Sequence, residues 1–276
     1  MRAAILQTTT GIDPEENARG VAAAVADAGV RDADMLFTPE MVGLLDRDRK
    51  RGAASLTNEA DSPVLARARE AAAKAGIWVH LGSLPLTGER EDGRLANRTF
   101  VIDDSGAIRA RYDKIHLFDV DLATGESWRE SASYGPGERV VTVDTPWARM
   151  GLAVCYDLRF PDLFRALSNA GATVLLIPAA FTVPTGQAHW HILQRARAIE
   201  AGVFVIAPAQ TGTHADGRVT YGHSLAIDPW GEVLLDMGTE AGMALVDIDL
   251  TRVDDVRGRV PALANRRVLP AEVTQL

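Results

Sequence analysis

With 276 residues, 47% of them hydrophobic and 24% charged, the chain is long and apolar enough to bury a sizeable core. A net charge of −8 and a pI near 5.3 argue against a global field for nucleic acid or anionic lipid, so an anionic ligand has to be met by local cations. One cysteine excludes an intramolecular disulfide and a Cys-based zinc cluster, and no signal-peptide or 18-residue apolar run is present, so a cytoplasmic protein is expected.

Residues 3–8 read as a buried strand, and Asn17 to Ala28 as a helix closing at Gly29. Asp34 to Glu40 is a second strand stopped by Pro39, which leaves Glu40 at a carboxyl end, the edge where open α/β sheets gather their chemistry. A solvated loop carboxylate is the plainer reading of any single Glu. Residues 46–60 are polar and are expected as a surface excursion. Asp61 or Ser62 caps a helix that has Pro63 in its first turn and ends at Gly76. Strands follow at 77–84, 98–103 and 107–112, with Lys114 directly after the last. Residues 119–139 lack periodicity and contain Glu126, Glu130 and Glu138; a long irregular stretch in a compact chain is usually functional.

Gly151 to Val154 is a short apolar strand, and Cys155 stands in the turn leaving it, before a helix over 161–170 opened by Pro161. A sulfur held there suits nucleophilic catalysis, although a lone Cys is often only a small core residue. Thr173 to Ile177 is a strand ending in Pro178-Ala-Ala-Phe-Thr182, and 187–200 is a helix. His189 and His191 on that helix are two residues apart, share no face, and read as polar helix residues rather than a metal pair. Strands recur at 203–207, 223–227, 233–235 and 244–248, and the basic tail RVPALANRR is expected to wrap a neighbouring surface. The alternation of strands and helices without a linker predicts one α/β domain over residues 1–276. No Gly-x-Gly-x-x-Gly or P-loop pattern supports a dinucleotide or ATP site.

A thiol with an ordinary pKa of about 8.5 needs a base at neutral pH. Six histidines are available, at 80, 116, 189, 191, 214 and 223, but none follows Cys155 in a papain- or caspase-like signature. Glu40, Lys114 and Cys155 each lie at or just past the end of a predicted strand, and such ends converge in a sheet.

FTPE40, YDK114IHLFD and GLAVC155YDLRFPDL, in that order, resemble the nitrilase (carbon–nitrogen hydrolase) superfamily, and RE130SASYGPG matches a further glutamate of that pattern. The likeness runs through QRARAIE and YGHSLAIDPWG and is nearest to the Nit branch, which includes amidases of deaminated glutathione and of α-keto acid ω-amides; the stretch DLATGESWRE (121–130) departs from it. The resemblance implies an α-β-β-α four-layer sandwich that pairs into a homodimer or larger homo-oligomer. It also implies hydrolysis of a small carboxylate-bearing amide to acid and ammonia through a thioester, with no metal and no organic cofactor. Glu40 would be the general base, Cys155 the nucleophile, Lys114 and the Tyr156 N–H the oxyanion donors, and Glu130 an orienting acceptor. Arg159 is the first candidate for the substrate's acid end, against an ordinary ion pair with Asp157 or Asp162; Phe181 and Thr182 are candidates for the pocket wall. Three alternatives stay open: a nitrilase or N-carbamoyl amino acid amidohydrolase with the same triad, an idle scaffold of the same fold, and a Cys–His hydrolase of another fold.

Overall fold

Side-chain alternation decides the layering. In β1 (Arg2–Gln7), Ala3 and Ile5 point into one apolar cluster and Ala4 into another, as the two-residue period of a strand requires. A strand apolar on both faces must be covered on both. The computed structural model describes residues 1–269 apart from Glu89, Ala123, Thr124 and Glu126; the seven C-terminal residues and the expected loop residue Glu126 lie outside the described set.

The first sheet comprises β1, β2 (Met35–Phe37), β3 (Trp78–Leu86), β4 (Ala96–Ile102), β5 (Ile108–Asp113) and the late strand β16 (Gly242–Asp247), in the order β16-β1-β2-β3-β4-β5. Short hairpin strands intervene in sequence: β6 (Asp119–Asp121) pairs with β7 (Ser127–Arg129), and β12 (Thr211–Thr213) with β13 (Val219–Tyr221). The second sheet runs β15 (Val233–Asp236), β14 (Leu225–Ile227), β11 (Phe204–Ala207), β10 (Val174–Leu176), β9 (Arg149–Leu152), β8 (Thr142–Asp144). Helices α1 (Pro14–Val30) and α3 (Pro63–Ala75) pack through Val21, Val25, Leu65 and Ala68 on the outer face of the first sheet. α4 (Pro161–Asn169), α5 (Val183–Ala201) and α6 (Thr251–Arg259) join the cluster that also fills the space between the sheets, through Phe164, Trp190 and Val253. The result is the α-β-β-α sandwich expected.

Caps explain the helix limits. Asp13 accepts from the N–H of Glu15 and Glu16, with Pro14 at the first position, so α1 begins three residues before its apolar period does. Gly76 and Gly202 close α3 and α5 in the left-handed conformation.

Three expectations are corrected. Residues 119–139 are not featureless: they hold β6, β7 and a 3₁₀ turn at Glu130–Ala132. Residues 46–60 contain α2 (Arg49–Ala53) and form part of a cavity wall rather than a mere excursion. β8, the β12–β13 hairpin and α6 are additional to the predicted elements; three-residue strands carry too little alternation to be read. The tail lies at least partly on its own chain, since Arg266 Nη1 donates to Asn169 Oδ1 at 2.6 Å. No helix among the described residues is long and apolar enough to cross a membrane.

Candidate active site

Parallel pairing gathers the chemistry at one edge. β1, β2 and β3 run parallel, as do β9, β10 and β11, and β5 is antiparallel to β4, which is antiparallel to β3. The carboxyl ends of β2, β3 and β5 therefore share one edge of their sheet. Glu40 leaves β2 through Thr38, whose N–H donates to the His80 carbonyl at 3.0 Å and whose hydroxyl accepts from Gly82 N at 2.9 Å. Gly82 is required there: a Cβ would stand 2.1 Å from the Thr38 carbonyl oxygen. Lys114 follows β5, and its backbone N–H donates to the Asn97 carbonyl at 2.9 Å. Cys155 follows β9 with φ of +50°, and its N–H donates to the Pro178 carbonyl at 2.9 Å.

A left-handed Cys persists only where its surroundings over-determine it. The buried Asp157 carboxylate does this. It accepts from Val154 N (2.9 Å) and Tyr112 Oη (2.7 Å) on Oδ2, and from His116 N (3.0 Å) and His116 Nδ1 (2.7 Å) on Oδ1. The nucleophile's turn is thus tied to the segment that follows β5 and carries Lys114. The sequence read Asp157 only as a partner for Arg159. His116 is no base for Cys155; its ring stacks on Phe160 at 3.6 Å and its Nδ1 is engaged by Asp157.

The four expected residues meet. Lys114 Nζ donates to Glu40 Oε1 at 3.0 Å and to Glu130 Oε2 at 2.9 Å, with Lys114 2% exposed and Glu40 4%. Glu40 Oε2 accepts from Ala180 N at 2.9 Å, and Cys155 lines the same cavity as this carboxylate. Glu130 is held besides by Phe118 N at 2.6 Å. Asn97, missed in the sequence, donates from Nδ2 to both carboxylates, at 3.0 Å to Glu40 and 3.2 Å to Glu130. Gln210, also missed, fixes the Glu40 carbonyl at 2.8 Å. Neither has a local motif; each becomes visible only when two distant strands meet.

Burial alone would strip the Lys114 proton, but Glu130 and Glu40 outweigh it and hold the ammonium well above its ordinary value. Burial, and then the Glu40 carboxylate, push the Cys155 thiol well above its ordinary value against the pull of Lys114. The resting sulfur is therefore a neutral thiol.

These groups floor a cavity of about 970 Å³. Tyr156, Phe181 and Thr182 line it as expected. Tyr156 is the second residue of the 3₁₀ turn Cys155–Arg159, so its N–H has no carbonyl to meet inside that turn. Arg159 is not among the lining residues. Its guanidinium lies 5.8 Å from the Tyr156 ring and 5.5 Å from Phe181, and Nη1 meets His189 Nδ1 at 3.2 Å. It pairs with neither Asp157 nor Asp162, whose ion-pair partners are His116 and Arg165. His189 and His191 part company, as their spacing requires. His191 instead joins His223, in the loop between β13 and β14, and Asp236 of β15, with their ligand-capable atoms within 4.8 Å of one another. Hydrogen bonds of 2.9 and 3.0 Å already link that group.

A carboxylate, a thiol and a fixed ammonium gathered at one cavity floor are groups that acyl transfer can use. Comparison with known proteins agrees. The carbon–nitrogen hydrolase family pattern matches residues 2–258. The chain is 37% identical over 280 residues to the deaminated glutathione amidase of Yersinia enterocolitica, covering 99% of this chain and 95% of that one. It resembles the structure of Saccharomyces cerevisiae Nit3, a member of branch 10 of the nitrilase superfamily, with a TM-score of 0.86, 26% identity and 97% of each chain covered. It also resembles a glutamate-to-glutamine variant of the amidase from Nesterenkonia sp. AN1, which shows the result of Michael addition of acrylamide at its active-site cysteine. There the TM-score is 0.78 at 27% identity, over 96% of this chain and 99% of that one. With the pattern spanning nearly its whole length and the triad assembled where that chemistry needs it, the chain belongs to the carbon–nitrogen hydrolase family and is a hydrolase of carbon–nitrogen bonds.

Proposed function

We propose that the chain, as one carbon–nitrogen hydrolase domain over residues 1–276, is an amidase acting on a small carboxylate-bearing amide. Deaminated glutathione is the first choice and an α-keto acid ω-amide the second. The observation that carries this is the Lys114 ammonium held between Glu40 and Glu130 beside a neutral, strained Cys155. Glu40 takes the thiol proton as sulfur bonds to the amide carbon. The oxyanion forms against the Lys114 ammonium and the Tyr156 N–H. Glu40 returns that proton to the departing nitrogen, the C–N bond breaks, and a thioester remains on Cys155. Glu40 then deprotonates a water that attacks the thioester, and the sulfur leaves with the proton restored. Glu130 holds the lysine in place throughout.

One expectation changes with the chemistry of the leaving group. The scissile bond of deaminated glutathione is a peptide-type amide, so an amine departs; only a primary ω-amide releases ammonia. The assay therefore follows the free amine from deaminated glutathione and ammonia from α-ketoglutaramate, with a simple nitrile and an N-carbamoyl amino acid alongside. Turnover of either amide, lost in Cys155→Ala, supports the reading. Turnover of the nitrile or carbamoyl compound alone overturns the substrate class. The proposal includes a homodimer, supported by the exposed Ile192 and Ile199 on α5 and the exposed Trp230, and a cytoplasmic setting suited to a free catalytic thiol.

A further inference from the structure

The catalytic floor carries two carboxylates against one ammonium, so it repels a substrate's acid group and leaves that group to another part of the cavity. Arg51 donates from Nε and Nη2 to the Asp46 carboxylate at 2.8 Å each and Arg129 donates to both Asp121 oxygens, so these two cations of the wall are already paired. Arg49 donates to the Arg129 carbonyl, and Arg47 lines the wall with no side-chain hydrogen bond or ion pair among the described residues. Arg218 is set apart from them by its seat. Among the described residues its guanidinium has one carboxylate contact, Nη2 to Asp216 Oδ2 at 3.5 Å, and its buried Nε has no partner. It lies over the Trp128 ring at 4.8 Å, and the indole Nε1 of Trp128 is buried and equally without a partner. Both residues line the cavity that Cys155 and Lys114 floor.

Arg218 is also held in place. It ends the β12–β13 turn, where its carbonyl accepts from His214 N at 2.8 Å and its N–H donates to Asp216 Oδ1 at 2.9 Å. The His214 ring is buried between the Thr10 carbonyl (2.9 Å) and Thr220 Oγ1 (2.8 Å). Asp216 Oδ2 accepts from Arg47 N at 2.8 Å, which ties the turn to the loop that follows Glu40. Trp128 stands two residues before Glu130, about 7 Å of extended chain from the catalytic floor. A cation this fixed, on an aromatic face and with a buried Nε left to donate, is a preorganised receptor for a carboxylate.

We infer that Arg218, seated on Trp128, binds the substrate's carboxylate and selects amides that carry one away from the scissile carbonyl. This rests on the amidase reading for the identity of the substrate, and it transfers to Arg218 the role expected of Arg159. The side chain closes a bidentate or end-on ion pair with the acid while Glu40, Lys114 and Cys155 address the amide at the far end.

The test uses two readouts. In a Cys155→Ala background, calorimetry measures 2-oxoglutarate binding at low salt, with Arg218 intact, as Arg218→Met and as Arg218→Lys. In the enzyme with Cys155, the ratio of kcat/KM for α-ketoglutaramate over neutral butyramide is compared across the same substitutions and Trp128→Phe. Arg218→Met is expected to weaken 2-oxoglutarate binding roughly 10- to 100-fold and to cut the kcat/KM ratio by a similar factor, with Arg218→Lys between. Trp128→Phe, which keeps the ring and removes the N–H, is expected to lower the ratio less. Thermal unfolding checks that each variant folds; should Arg218→Met fail, Arg218→Lys decides. Unchanged 2-oxoglutarate binding in the variants, or no binding by the protein with Arg218 intact, overturns the inference even with amide turnover normal. Loss of binding with neither amide turned over upholds the subsite and overturns the amidase reading instead.

Discussion

The floor of the cavity and its wall are built on different principles. The floor hangs from strand ends: Glu40 after β2, Lys114 after β5 and Cys155 after β9, each with backbone hydrogen bonds into a neighbouring strand or the segment after it. The wall consists of α2, the β6–β7 hairpin and the β12–β13 turn, short pieces that bring Arg49, Trp128 and Arg218 to the opening. A sheet edge holds reacting atoms to a fraction of an ångström because the ladder on either side over-determines it. Loops hold charge and shape, which tolerate more play and change more freely in sequence. On the proposed amidase reading, chemistry is set by the sandwich and recognition by what is laid over it.

Substitutions test that division most sharply on the floor. Cys155→Ala should remove turnover by about 10⁴-fold or more while leaving the fold, because the chain holds no other thiol; residual turnover near the level of the unaltered enzyme would break the scheme. Lys114→Met should be nearly as damaging to rate. It should also destabilise by roughly 3–5 kcal/mol, since two buried carboxylates lose the cation between them. Urea unfolding reads this. An unchanged midpoint would mean that the lysine does not hold the pair.

Asp157→Asn probes the scaffold behind the floor. One acceptor oxygen in place of two meets four donors, so kcat should fall roughly tenfold to a hundredfold with KM little changed, at a stability cost of about 1–3 kcal/mol. An equal rise in KM would place Asp157 with substrate binding instead. The smallest effect concerns His80, buried beneath the Glu40 turn and held down to about 3 by burial. Its folded value lies below its unfolded one of 6.5, so its contribution is whole above pH 6.5 and is lost as pH falls from 6.5 toward 3. The limiting slope is ~1.4 kcal/mol per pH unit. The urea midpoint should drop between pH 7 and 5, and drop less in His80→Phe; parallel profiles would assign the acid sensitivity elsewhere.

Much of this was written in the chain itself. Apolar runs stopped by Pro39 and leading into Cys155 mark strand exits, and covalent order alone puts a carboxylate, an ammonium and a thiol at such exits. Helix limits follow from Pro63 and Gly76, because caps and breakers act within a turn of themselves, whereas the Asp13 cap, which starts α1 ahead of the expected Asn17, was missed. Asn97 between the two glutamates, Asp157 beneath the nucleophile and Arg218 on Trp128 have no such local signature. Nor does nearness to Cys155 in sequence say where Arg159 ends up: its guanidinium lies 5.8 Å from the Tyr156 ring and 5.5 Å from the Phe181 ring. Sequence determined which groups leave the sheets and where; only the pairing of strands far apart in the chain decided which of them meet, since hydrogen bonds and charge act over a few ångströms of space and not along the backbone.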